Sequence, residues 1–323
     1  MRDSRIFDEI NERARVGEPF LFVVSYDGND AFVKPLCDIS PGECLFDFNG
    51  RTNCDAGIPE PGPVSWSVTP PSYDGYERAF NVVKSNILRG NSYLVNLTCQ
   101  VPVDCNLSLL DVFRCARGKY KLMLSGRFVC FSPEPFVQIR DGRISSFPMK
   151  GTAPASRPGA LQSLIADKKE AAEHATIVDL IRNDLSRVAS DVVVGRYRYA
   201  ELVETNVEPL YQTSSCITGA LPADYGNHIG DIIAALLPAG SITGAPKAKT
   251  VDIIREAENY SRGFYTGVMG LCDHGQVDSA VMIRFLEQSE GGGLVFKAGG
   301  GITSRSECAK EYAEVLSKTY LPI

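Results

Sequence analysis

The sequence predicts an α+β fold, a large mixed or antiparallel sheet system with helices outside. Three observations carry that expectation. Strand-like segments do not alternate strictly with helical ones, which excludes a simple doubly wound sheet. Turn signals at Asp27-Gly28-Asn29-Asp30 and Asp141-Gly142 join consecutive strand-like segments as hairpins. The chain has 323 residues, 44% of them hydrophobic, enough for a large core and about two domains or one large one.

The elements follow in order. Residues 5–16 read as a helix, and Pro19 to Tyr26 and Ala31 to Pro35 as a hairpin. Residues 53–72 hold five Pro and two Gly, the mark of a loop or linker. A helical pattern runs from Tyr73 to Arg89 and stops at Gly90, and Ser92 to Val101 alternates as a strand does. Lys121 to Cys130, Phe136 to Ile139 and Arg143 to Met149 read as strands. A polar loop, Ala153 to Gly159, precedes one helix over 160–185. Later strands are expected near 191–204, 211–219, 264–272, 277–286 and 294–298, and helices near 228–237, 247–260 and 307–319. Two units result: a short N-terminal segment, 1–70, packed on the core, and a main domain, 71–323.

Net charge is −6 and there is no Lys/Arg run, which argues against a nucleic-acid binder. The longest apolar runs, Phe20 to Val24 and Ile232 to Leu237, fall far short of the ~20 residues that span a bilayer. The N-terminus, Met1-Arg2-Asp3-Ser4-Arg5, leads into a charged stretch rather than a secretory core. Ten scattered cysteines show no Cys-x-x-Cys spacing and suit reduced thiols. A cytoplasmic chain with no membrane or nucleic-acid partner is expected.

Several clusters can carry chemistry. Glu170 and Glu173, and Glu311 and Glu314, each stand three residues apart on one helix face, with Lys318 a turn beyond Glu314. Ser304-x-x-Glu307 reads as a capping box for the last helix. Carboxylates with positions left for water and substrate suit Mg²⁺, although either pair alone fits an ordinary solvated helix face better. The run Leu237 to Lys247, with Ser241 and Thr243, can aim backbone N–H groups and hydroxyls at an anion or merely enter a helix. Gly299 to Gly301 ends a strand and permits close approach of a ligand, or forms a flexible turn. Glu134 and Lys150 lie sixteen residues apart across a hairpin-like return. A lysine of depressed pKa can attack and a glutamic acid of raised pKa can protonate a leaving hydroxyl, but a surface lysine and a turn glutamate fit the local sequence as well.

Taken together these residues resemble a family. Gly90 to Thr98, Ser132-Pro133-Glu134, Pro148 to Thr152, Glu173 to Leu185, Gly240 to Lys247, Arg262 to Tyr265, Ile283-Arg284, Gly299 to Gly301 and Glu311 to Glu314 follow, in order, the motifs of the chorismate-utilising enzymes. The resemblance implies the anthranilate synthase component I-like fold, in which large mixed or antiparallel sheets pack face to face with helices outside, and a chorismate substrate. It implies that Glu173 and Glu314 contact Mg²⁺ most closely, with Glu170 and Glu311 acting directly or through water, and that the metal holds the ring carboxylate. Tyr265, Arg284, Gly300 and Gly301 would hold the enolpyruvyl carboxylate, and Ser241, Thr243 and Lys318 would line the pocket. Lys150 resembles the aminodeoxychorismate-forming branch, in which it attacks ring C2 while Glu134 protonates the departing C4 hydroxyl. Leu94 stands where isochorismate-forming relatives have a Lys, and Gln212 where many relatives have a His, so water addition and pyruvate elimination are disfavoured. Ammonia would come from a separate glutamine amidotransferase subunit, component II. The alternatives are an anthranilate-forming component and an idle chorismate-binding protein. The resemblance also implies that the N-terminal segment is shortened, which puts a regulatory tryptophan site in doubt.

Overall fold

The computed structural model describes residues 3–54, 62–203, 209–289 and 291–323. Among them, eight helices flank two nine-stranded sheets whose strands pair antiparallel. The helices are α1 (Ser4–Val16), α2 (Tyr73–Leu88), α3 (Leu109–Cys115), α4 (Ala160–Ala166), α5 (Lys168–Leu185), α6 (Ile229–Leu236), α7 (Lys247–Ala257) and α8 (Cys308–Ser317). None is long and apolar enough to cross a membrane, and all ten cysteines are free thiols.

The first sheet runs, in spatial order, Met149–Pro154, Leu210–Ala220, Arg143–Ser146, Pro135–Arg140, Gln276–Val281, Val268–Asp273, Phe20–Val24 and Ala31–Pro35, with Ser190–Val203 also paired to Leu210–Ala220. The second runs Gly244–Ala245, Leu94–Cys105, Leu294–Ile302, Phe285–Gln288, Phe128–Ser132, Tyr120–Leu124, Cys44–Phe48 and Arg51–Thr52, with Trp66–Val68 also on Leu94–Cys105.

Phe20–Val24 shows why the sheets stack. All five residues are buried. Phe20, Phe22 and Val24 pack with Ile10 of α1, Ile177 of α5 and Ile233 of α6. Leu21 and Val23 point the other way and meet Phe46, Leu122 and Phe285 of the second sheet. Alternate side chains on a strand face opposite sides, so a wholly apolar strand must be covered twice. On the far side, Phe80 of α2, Phe113 of α3, Ile253 of α7 and Val315 of α8 cover the second sheet, in one cluster with its Val95, Leu97 and Phe296. The order is helices, sheet, sheet, helices, as the family resemblance implies. The N-terminal segment supplies strands to both sheets.

Several elements differ from expectation. The helix over 160–185 is broken at Asp167, which is extended. The Arg198 guanidinium donates to the carbonyls of Ile165 at 2.6 Å, Leu164 at 2.8 Å and Asp167 at 3.3 Å, closing the break with donors that a continuous helix would not need. The strand expected over 277–286 is two strands in different sheets, because Arg284 takes a left-handed backbone (φ 54°) between them. The strand over 264–272 begins only at Val268, after a turn in which Gly263 and Thr266 have positive φ. The capping box at Ser304 is not made: α8 is capped at Glu307 without a side-chain bond. Lys84 holds that turn instead, donating to the Ser304 and Ser306 carbonyls at 2.9 and 2.7 Å. The expected 53–72 loop contains the strand Trp66–Val68, while its residues 55–61, and residue 204 at the end of the expected 191–204 strand, lie outside the described residues.

Candidate active site

Two adjoining cavities, each of about 1070 Å³, collect the predicted residues. One is lined by Glu134, Lys150, Ser241, Tyr265, Arg284, Gly300, Gly301 and Lys318, with Leu94, Ile177, Ile242 and Ile283 as its apolar wall. The other is lined by Glu170, Glu173, Glu311, Glu314 and Asp167, together with Lys150 and Gly301. Lys150 and Gly301 face both.

Lys150 reaches this junction through a defect in its strand. The register of Met149–Pro154 against Leu210–Ala220 shifts between Met149 and Thr152, and Gly151 has φ +79°. Such a bulge bends the strand and re-aims a side chain. The Thr213 hydroxyl donates to the Lys150 carbonyl and pins the bulge. Gly151 is also a contact requirement, since a Cβ there would lie 3.0 Å from a Glu170 carboxylate oxygen and 3.1 Å from Leu164.

The charges are strongly coupled. Lys150 Nζ lies 3.1 Å from Glu173 Oε2. Burial pulls the Lys150 pKa down, but Glu173, through charge and hydrogen bond, and then Glu170 and Glu314, outweigh it, and the net shift is upward. This is opposite to the depressed pKa that a nucleophilic lysine needs. Lys318 Nζ lies 2.6 Å from Glu314 Oε1 and donates to the Gly299 carbonyl at 3.1 Å. Burial pushes the Glu134 carboxyl upward against the hydrogen bond from Ser241 and the charges of Lys150 and Lys318, so Glu134 is an acid able to hold its proton above the usual carboxylate range. His174, beside Glu173, is buried and bonded through Nε2 to Ser215 Oγ at 2.7 Å. Burial drops its pKa to about 4, so it is neutral at pH 7.

At the other end, Arg284 Nη1 is buried with no hydrogen-bond partner among the described residues, and the guanidinium lies over the Tyr320 ring at 4.7 Å. An unpaired buried donor is costly unless a ligand completes it, and a carboxylate matches a guanidinium. Tyr265 is buried close by. At Gly300 a Cβ would stand 3.5 Å from Glu311 and 3.9 Å from Glu314, so bare backbone separates the two cavities there.

Hard carboxylate oxygens in the second cavity suit Mg²⁺, which binds through one or two carboxylates plus water and substrate. Among the described residues, however, no group of three or more acidic, His or Cys side chains is close enough to form a ready cation cage. Two further differences concern the first cavity. Thr243 is fully buried with its hydroxyl donating to the Ala239 carbonyl at 2.8 Å, and it does not line the pocket. Asn96 and Lys297, which the sequence reading assigned no role, do line it. Asn96 Oδ1 is buried without a partner among the described residues, and Lys297 is held by the Arg262 carbonyl at 3.0 Å and by Glu287 at 2.5 Å. The visible signal for Lys297 is a charged residue inside an otherwise apolar strand; Asn96 shares its strand with Thr98, Gln100 and Asp104 and carries no such signal.

The profile of a family described as chorismate binding enzyme matches residues 49–322. The chain is 43% identical over 320 residues to an uncharacterized PabA-like protein of Haemophilus influenzae, covering 99% of this chain and 97% of that protein. It is 35% identical over 261 residues to aminodeoxychorismate synthase component 1 of Klebsiella aerogenes, covering 76% of this chain but 56% of that longer protein. The structure of MenF, the menaquinone-specific isochorismate synthase of Escherichia coli, superposes with a TM-score of 0.72 at 18% identity, covering 98% and 80% of the two chains, and shares the fold.

Proposed function

The chain belongs to the chorismate-binding enzyme family, and from that premise we propose that it aminates chorismate at C4 to give 4-amino-4-deoxychorismate, the reaction of an aminodeoxychorismate synthase component I. One observation carries the reading: Lys150 stands at the junction of the two cavities, in a pocket that also holds Glu134, a carboxyl whose burial favours its protonated form.

In the proposed reaction the neutral Lys150 amine forms a bond to ring C2. The ring diene shifts, the C4–O bond breaks, and the Glu134 proton leaves with the hydroxyl as water. Ammonia then bonds to C4, the diene shifts back, and the C2–N bond breaks to return the Lys150 amine. The Glu134 carboxylate recovers a proton from the new ammonium group. The sum is chorismate plus ammonia to aminodeoxychorismate plus water. Arg284 and Tyr265, with the Gly300 and Gly301 backbone, orient the enolpyruvyl carboxylate, and Ser241 orients Glu134.

Glu173 and Glu314, with Glu170 and Glu311, are the residues that would hold Mg²⁺. A bound dication would offset the negative charge of this cavity, both toward the dianionic substrate and toward Lys150, whose protonation Glu173, Glu170 and Glu314 favour. Ammonia is proposed to come from a separate glutamine amidotransferase subunit.

The test is product identity. Purified protein incubated with chorismate, Mg²⁺ and ammonium should form aminodeoxychorismate by mass; anthranilate or isochorismate would overturn the proposal. Lys150→Ala should abolish amination yet still bind chorismate with Mg²⁺, and unchanged turnover would remove Lys150 from the mechanism.

A further inference from the structure

The loop from Leu237 to Pro246 links α6 to α7, and one short helical turn within it, Gly240–Ile242, carries Ser241. Ser241 is the hydroxyl bonded to Glu134. What holds this loop lies outside the substrate pocket. Lys247 Nζ, at the exit of the loop, donates to the Leu236 carbonyl at its entry at 2.9 Å and pairs with Asp184 Oδ2 of α5 at 2.7 Å. Both ends of the loop are thus pinned to α5 at one point. Resting on the amination reading above, we infer that the Asp184–Lys247 pair is a positioning device for the catalytic acid: it seats the Gly240–Ile242 turn against α5 so that Ser241 meets Glu134.

The seating is close. A Cβ on Gly240 would stand 2.8 Å from Asp184 Oδ2 and 3.1 Å from Leu180 Cγ, so bare backbone rests on the carboxylate and on the α5 turn before it. Gly240 has no positive φ, so this approach, and not backbone conformation, is what requires glycine there. A further cavity, of about 410 Å³, has Asp184, Gly240, Ser241 and Glu134 in its wall. The pair, the turn and the acid therefore border one space. Ser146, the other hydroxyl there, gives its proton to the Phe136 carbonyl at 3.0 Å, which leaves Ser241 as the donor for Glu134.

Neither Asp184 nor Lys247 lines the cavity that holds Lys150 and Glu134, so both act through the turn. Their side chains are 10% and 13% exposed. A buried ion pair is a weak source of stability, because desolvation offsets most of its attraction. A pair that closes the foot of a loop bearing a site residue contributes geometry instead.

Glu134 reports on that geometry. Burial raises its pKa and the Ser241 bond pulls it back, so loss of the bond raises it further. The cations that face Glu134, Lys150 and Lys318, stay in place in the test. Its titration is followed by ¹³C NMR of protein labelled at the Glu side-chain carboxyl, the Glu134 signal being the one absent from Glu134→Gln. Asp184→Asn combined with Lys247→Gln removes both charges, leaves neither buried alone, and nearly cancels any direct electrostatic effect. That variant should raise the Glu134 pKa by about 0.5 or more, as Ser241→Ala does. Gly240→Ala keeps both charges but pushes the turn off α5, and should act in the same direction. In a Ser241→Ala background the pair variant should add nothing. Its amination rate at saturating ammonium should fall about tenfold, with the Kd for chorismate and Mg²⁺ within about twofold of the parent. A Glu134 titration unmoved or lowered in either variant overturns the inference, and so does a rise undiminished by Ser241→Ala. Should the pair variant not fold, Gly240→Ala decides alone. A parent protein that forms no aminated product with ammonium fails the amination reading, whereas the titration still decides whether the pair seats Ser241.

Discussion

Glu134 shows how a site residue is set by its surroundings rather than by its neighbours in sequence. Its carboxyl is pushed up by burial, with Ser241, Lys150 and Lys318 pulling the other way. A group whose pKa is raised on folding adds stability below its unfolded value and loses that contribution as pH rises through the folded value. Glu134→Gln, which mimics the protonated acid, should therefore gain in Tm relative to the parent as pH goes from about 4 into the neutral range, while its amination rate falls sharply. A Tm difference that stays constant with pH would show that Glu134 is not held protonated. The run Ser132-Pro133-Glu134 left a raised-pKa acid and a turn glutamate equally open, and only the family resemblance favoured the acid. At Thr243 a hydroxyl in a Gly-rich loop looks available, yet the loop folds so that Ala239 takes it.

At the scale of the element, the Met149–Pro154 strand carries the site because it is imperfect. Its bulge turns Lys150 toward the junction, and Gly151 admits Glu170 where a Cβ would stand unusually close to its carboxylate. Gly151→Ala meets both a positive φ and that carboxylate. It should cost about 1–3 kcal/mol of stability and raise the Mg²⁺ concentration needed for half-maximal turnover. A denaturation midpoint and a Mg²⁺ titration both equal to the parent's would refute this account. Elements were legible where the pattern was strong, as at Phe20–Val24. They were not where a tertiary contact decided the matter. The break at Asp167 depends on Arg198 from a distant strand, and the split at Arg284 comes from a left-handed backbone inside an apolar run, Ala280 to Leu286, that carries no turn signal. The helix α3 is only seven residues long, too short for periodicity to reveal.

For the whole molecule, an antiparallel sheet system with outer helices was legible from patterning and its face-to-face stacking from the family resemblance, but not how the stack is locked. Arg262 and Glu258 form an ion pair at 2.6 Å with both side chains 2% exposed. Arg262 also donates to the carbonyls of Ile242 at 3.0 Å and Asn96 at 2.7 Å, and Glu258 accepts from Thr98. One buried network thus ties the Ser241 loop, a pocket strand and the turn bearing Tyr265. Arg262→Met would leave Glu258 buried without its counter-charge and should cost roughly 3–5 kcal/mol. A loss below about 1 kcal/mol in chemical denaturation would mean the network contributes little.

Lys150 extends from the first sheet, whereas Gly300 and Gly301 belong to the second. Stacked sheets stand about 10 Å apart, held here by interlocked residues such as Met269, Met282 and Phe285. The interior between the sheets therefore works as a ruler. The bulk of side chains buried between the sheets sets how far the Lys150 amine stands from the Gly300 and Gly301 backbone, and so, on the proposed chemistry, which lengths of diacid would be gripped and attacked together.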